Sequence, residues 1–111
     1  MSYSFNVEND ILIVKIEEKR ATIEFSGTLK DDLAKKIEQG NSNVIIDLGA
    51  TEFVDSSFLG TLVAGLKKTK NNSGNLKIVD LQEPVRDMFE LTRLYKIFEI
   101  FDTLEDAINS F

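Results

Sequence analysis

The chain has 111 residues, 42% hydrophobic and 29% charged, with a formal net charge of −6 and neither cysteine nor histidine. This length suits one domain, residues 1–111, around a single core. The missing residue types exclude disulfides, thiol nucleophiles, thiolate metal sites and imidazole as base or ligand. The negative charge argues against nucleic acid as a partner, since such binding draws its affinity from Lys and Arg on phosphates, and it favours a partner with a basic surface.

No apolar run approaches the roughly 20 residues that span a bilayer. The start, MSYSFNVEND, lacks the basic flank and apolar centre of a signal peptide. The expected location is therefore the cytoplasm, away from membrane. In residues 1–10, Phe5 and Val7 alternate as in a short extra edge strand. Ile11–Glu18 reads as a strand rich in β-branched and aliphatic residues, and Ala21–Ser26 alternates with Ile23 and Phe25 on one face. With the polar break Lys19–Arg20 between them, the two runs predict an antiparallel hairpin.

Thr28 is then a candidate cap for a helix over Leu29–Gln39, with Leu29, Leu33 and Ile37 four residues apart and Gly40 closing it. Val44–Leu48 is a continuous apolar run of the kind buried on both faces of a parallel sheet. A helix from Ser56 to about Lys70 follows, ending in Lys67, Lys68 and Lys70, where cations complement the dipole. Gly74 marks a turn, Leu76–Leu81 a strand, and Pro84 the opening of a helix with Val85, Met88, Phe89 and Thr92 inward. Lys96–Phe101 reads as a last strand, and Thr103 as the cap of a last helix carrying Leu104, Ala107, Ile108 and Phe111. Alternation of helix and strand predicts an α/β fold: a mixed, mainly parallel sheet of four to five strands, an N-terminal antiparallel hairpin and about four helices.

The stretch Val44–Leu66 organises the chain, and its centre is Asp55–Ser56–Ser57. Such a tripeptide most commonly caps a helix, its oxygens accepting the orphan N–H groups. A nucleophilic serine would need a base, and the chain has no histidine and no G-x-S-x-G turn. A third reading is a phosphorylatable serine on a protein-binding surface. Phosphate would add about −1.5 to −2 charges, which a helix N-terminus tolerates. On the helix itself, Leu59, Leu62, Val63 and Leu66 face the sheet, while Thr61, Ala64 and Lys68 point away. Phe58 lies at the edge of the stripe, either folded over the core rim or exposed beside Ser57, Gly60 and Thr61 as a partner anchor. The acids Asp31, Asp32, Glu52 and Asp55 read as a solvated surface rather than a metal cluster, and no cofactor is implied.

VIIDLGATEFVDSSFLGTLV resembles the signature of STAS domains, in particular bacterial anti-sigma factor antagonists. IEFSGTL and LTRLYKIFEIFDTLEDAI resemble the segments on either side of that signature, so the likeness covers residues 11–111. It implies a binding switch rather than an enzyme. The unphosphorylated antagonist binds an anti-sigma factor that is also a serine kinase, phosphorylation releases it, and a serine phosphatase resets it. On this chain the resemblance implies phosphorylation at Ser56, with Ser57 as the alternative, and partner contacts at Asp55, Ser57, Phe58, Gly60 and Thr61. A STAS scaffold or sensor without a phosphorylation cycle is the alternative, and a small serine-nucleophile enzyme a more distant one. Phe58 stands where the family pattern has Gly, and Lys30 where it has Asp. The segment from Gly27 to Asp47 is also shorter than in the pattern, which implies a trimmed first helix.

Overall fold

The computed structural model describes residues 2–111. Among them a five-stranded sheet runs in the order β1-β2-β4-β6-β7, from strands β1 (Tyr3–Glu8), β2 (Ile11–Ile16), β4 (Asn43–Asp47), β6 (Asn75–Val79) and β7 (Ile100–Phe101). Two further strands, β3 (Arg20–Ala21) and β5 (Phe53–Val54), form a separate parallel pair. The helices are α1 (Ile23–Glu38), α2 (Ser56–Asn71), α3 (Glu83–Leu91) and α4 (Leu104–Asn109). Only β1 and β2 are antiparallel, and β2, β4, β6 and β7 are parallel neighbours. The fold class expected from the sequence is the one observed.

The two faces of the sheet carry unequal cores. Leu12, Val14, Ile16, Val44, Ile46, Leu76 and Ile78 meet the inner faces of α1, α2 and α3. On the opposite face Ile11, Ile13, Ile45 and Val79 meet Ala107 of α4, with Leu104 and Ile108 packed alongside. Burial on both faces is why β2 and β4 read as unbroken apolar runs.

Three elements differ from the sequence reading. The hairpin partner of Ile11–Ile16 is Tyr3–Glu8, not Ala21–Ser26. Asn9 and Asp10 have φ of 54° and 63°, and two successive residues in that region make a tight hairpin turn whose twist matches the strands. The segment from Ile23 is instead the first turn of α1, a helix of 16 residues. Thr22 caps it, Oγ1 accepting from Glu24 N–H at 3.4 Å. Ser26, Leu29, Leu33 and Ile37 continue one buried face back through Gly27–Thr28, which stay on the solvent side. A glycine there costs about 1 kcal/mol of helix propensity, which the packing of that face offsets.

The last strand is also shorter than Lys96–Phe101. Arg93, at φ 60°, turns the chain into a single 3₁₀ turn over Leu94–Lys96. Phe98 is then buried edge-on against Phe89, with ring centroids 5.9 Å apart, so that run serves the α3 side of the core rather than the ladder.

Candidate functional site

The parallel pair β3–β5 sets the site. β3 leads straight into α1 and β5 into α2, so the two helices start side by side. The loop before β5 is tied to the one before β3: Thr51 Oγ1 donates to Glu18 O at 2.9 Å, and Glu52 and Phe53 N–H donate to Lys19 O at 2.8 and 3.1 Å. Asp55 N–H continues the ladder to Ala21 O at 3.1 Å.

The Asp55 carboxylate then joins both helix starts. Oδ1 accepts from Phe58 N–H at 2.8 Å, capping α2. Oδ2 accepts from Ile23 N–H, also at 2.8 Å, and so satisfies an orphan donor of α1. Two helix N-termini, each with a partial positive charge, thus converge on one carboxylate.

The two serines that follow have different surroundings. Ser56, the first residue of α2, is exposed, and among the described residues its hydroxyl enters no hydrogen bond. Ser57 is half-buried, and its hydroxyl pairs with that of Ser26 on α1 at 2.7 Å. Thr61 Oγ1 donates to Ser26 O at 3.1 Å and to Ser57 O at 3.3 Å, closing a polar seam between α1 and α2.

This geometry divides the expected site residues. Asp55, Ser56 and Ser57 are brought together, and Gly60 is exposed one turn further along α2. Phe58 is not on the surface: it is fully buried, edge-on to Phe25 with centroids 6.0 Å apart, and cannot anchor a partner. Thr61 is buried too, at 4% exposure, because α1 lies against the side of α2 that the sheet does not cover. For the same reason Ala64 and Lys68 are only half-exposed. Lys30 is exposed and lines the gap between α1 and α2, and it is Ser26 that faces Ser57. Among the described residues no three acids converge to hold a metal ion.

Sequence reasoning missed Thr22, Ser26 and Ile23 as neighbours of the site. It also missed Phe53, half-exposed beneath the Arg20 guanidinium at 4.3 Å from the ring centroid, and Ile23, whose side chain is 73% exposed. The helical spacing Ser26–Leu29–Leu33–Ile37 was the available signal, and the local alternation of Thr22–Phe25 obscured it.

The sequence model of the STAS domain family matches residues 3–107. The chain belongs to the STAS domain family. The anti-sigma-B factor antagonist of Bacillus subtilis strain 168 is 31% identical over 80 residues, covering 72% of each chain. The anti-sigma-factor antagonist (STAS) domain protein of Planctomyces limnophilus has the same fold, with a TM-score of 0.89 over 97% of this chain and 96% of that one at 18% identity. The Bacillus anti-sigma factor antagonist SpoIIAA, known in unphosphorylated and phosphorylated forms, superimposes with TM-scores of 0.78 and 0.77 at 16% identity. Those two matches cover 97% of this chain and 96% and 97% of SpoIIAA. No helix among the described residues is long and apolar enough to cross a membrane.

Proposed function

We propose that this STAS domain is an anti-sigma factor antagonist, a cytoplasmic regulatory binding module whose switch is Ser56. Unphosphorylated, it binds an anti-sigma factor that is also a serine kinase and so frees a sigma factor for transcription. Phosphorylation of Ser56 releases it, and a serine phosphatase restores it. The observation that carries this reading is the contrast between adjacent hydroxyls: Ser56 is exposed and unbonded, whereas Ser57 is held by Ser26. A kinase reaches the first without opening the fold and the second only by separating α1 from α2. The contact face is Asp55, Ser56 and Gly60, with Ile23 and Phe53 added from the neighbouring elements. Convergent helix N-termini also favour negative charge at Ser56, so phosphate acts on the partner rather than on folding.

The test is phosphorylation by the purified anti-sigma factor kinase of the same organism with ATP, the site mapped by mass spectrometry. Phosphate on Ser56, together with loss of binding in Ser56→Asp and retained binding in Ser56→Ala, is the expected result. Binding without phosphate at Ser56 would leave a scaffold, and phosphate on Ser57 alone would reverse the assignment.

A further inference from the structure

Beyond the switch serine, α1 and α2 leave an open trough of about 410 Å³ between them on the side away from the sheet. Its floor is apolar and small: Leu33, Ile37, Ala34, Ala64 and Gly65. Gly65 is what lets the helices and sheet close up beneath it, since a side chain there would strike Leu33 and Leu76. The walls are basic. Lys30 stands on α1 and Lys67 on α2, both exposed, and among the described residues neither has an acid within salt-bridge range. Lys68, the third lysine at the trough, is already paired with Glu38 across the far end at 2.8 Å, and it holds the Glu38 carboxyl below its ordinary range.

We infer that this trough is a docking groove for an acidic amphipathic helix of the protein partner that engages Ser56. Cations on facing walls above an apolar floor suit an occupant carrying carboxylates on both flanks of an apolar ridge. The groove lies between two helices, the shape into which a third helix packs by ridge and groove. It is also continuous with the switch. Ser56, Gly60, Lys67 and Asn71 follow one another on the exposed side of α2, the last two at the trough, so one partner can cover both. This inference rests on the proposed function, because it assigns the groove to the same partner.

The experiment measures binding of the purified anti-sigma factor kinase to the full chain carrying Lys30→Glu and Lys67→Glu together. Affinity is expected to fall on the order of tenfold at low salt, and the salt dependence of binding to flatten. The control is Lys35→Glu with Lys70→Glu, the same charge change away from the groove, which should bind nearly as wild type. Carbodiimide cross-linking should join Lys30 or Lys67 to partner carboxylates spaced three or four apart. Ala64→Leu, which fills the floor, should weaken binding without lowering the melting temperature. If both double variants lose affinity equally, or if neither does while Ser56→Asp still weakens binding, the groove is overturned and the switch stands. If the wild-type chain does not bind the kinase at all, the proposed function falls and the groove assignment with it.

Discussion

Asp55 and Ile23 are 32 positions apart in sequence, yet the carboxylate of one accepts the N–H of the other at 2.8 Å, while its second oxygen caps its own helix. One side chain therefore caps α2 and, beside the Thr22 cap, adds a second acceptor at the start of α1, tying the two helix starts together. Removing a helix cap typically costs about 0.5–2 kcal/mol, and Asp55→Ala removes two at once. Its unfolding free energy in urea should drop by about 2–3 kcal/mol. Asp55→Asn keeps one oxygen and should lose roughly half as much. A loss in Asp55→Ala no greater than in Thr22→Ala, which removes a single cap, would show that the bridge to α1 contributes nothing.

The fold takes the Phe58 ring inward, fully buried and edge-on to Phe25. Phe58→Ala should therefore destabilise by about 3–5 kcal/mol, as for other buried aromatics. Phe58→Leu, which keeps most of the volume, should cost about 1–1.5 kcal/mol and leave partner affinity unchanged. Weaker binding by Phe58→Leu with an unaltered melting temperature would restore the ring to the interface.

The sequence made the frame legible because the parallel strands are buried on both faces and the later helices keep a clean apolar stripe. Val44–Leu48 and the stripe of Leu59, Leu62 and Leu66 needed no tertiary information. The first third was harder. Residues Thr22–Ser26 alternate like a strand, and Gly27 looks like a stop, so only the tertiary contacts of Phe25 and Ser26 decide for helix. The alternation of Phe5 and Val7 showed the edge strand β1, and Asn9–Asp10, two residue types that accept positive φ, wrote the hairpin turn, but the alternation of Ala21–Ser26 drew the pairing of β2 to the wrong side. At the site, the sequence showed which residues could act but not which were covered. Whether α1 lies over Thr61 and Ser57 is a matter of packing between distant segments.

Tyr3 closes the other end of the aromatic row that includes Phe25 and Phe58, and its hydroxyl donates to Asp32 Oδ2 at 2.6 Å. Burial, reinforced by the hydrogen bond to Asp32 and the charges of Asp32 and Asp31, pushes the Tyr3 phenol above its ordinary range. A folded pKa above the unfolded one means that the neutral phenol stabilises the fold at all pH values below about 10. Above that, the unfolded chain ionises first and stability declines. Urea unfolding from pH 8 to 11 should show this decline in the wild type and a shallower one in Tyr3→Phe, the difference being confined to pH above about 10. Identical slopes in the two proteins would mean that the phenol is neither buried nor held by Asp32 in solution.

Ser56 and Ser57 are neighbours that should respond oppositely to negative charge. Ser56→Asp places a carboxylate at the exposed start of α2, where the helix dipole favours it by about 0.3–1 kcal/mol and the nearby Asp55 carboxylate offsets part of that gain. Its net effect on unfolding should stay within about 0.5 kcal/mol of zero. Ser57→Asp forces a charge into the seam against Ser26, displaces a 2.7 Å hydrogen bond and should cost about 1–3 kcal/mol. A double-mutant cycle of Ser26→Ala and Ser57→Ala isolates the pair and should return a coupling of about 0.5–1.5 kcal/mol. Ser56 should show no coupling to Ser26 in the same cycle, because it is exposed and its hydroxyl makes no hydrogen bond to the seam. Equal destabilisation by the two aspartates would remove the structural distinction between the serines, and with it the reason for placing the switch at Ser56.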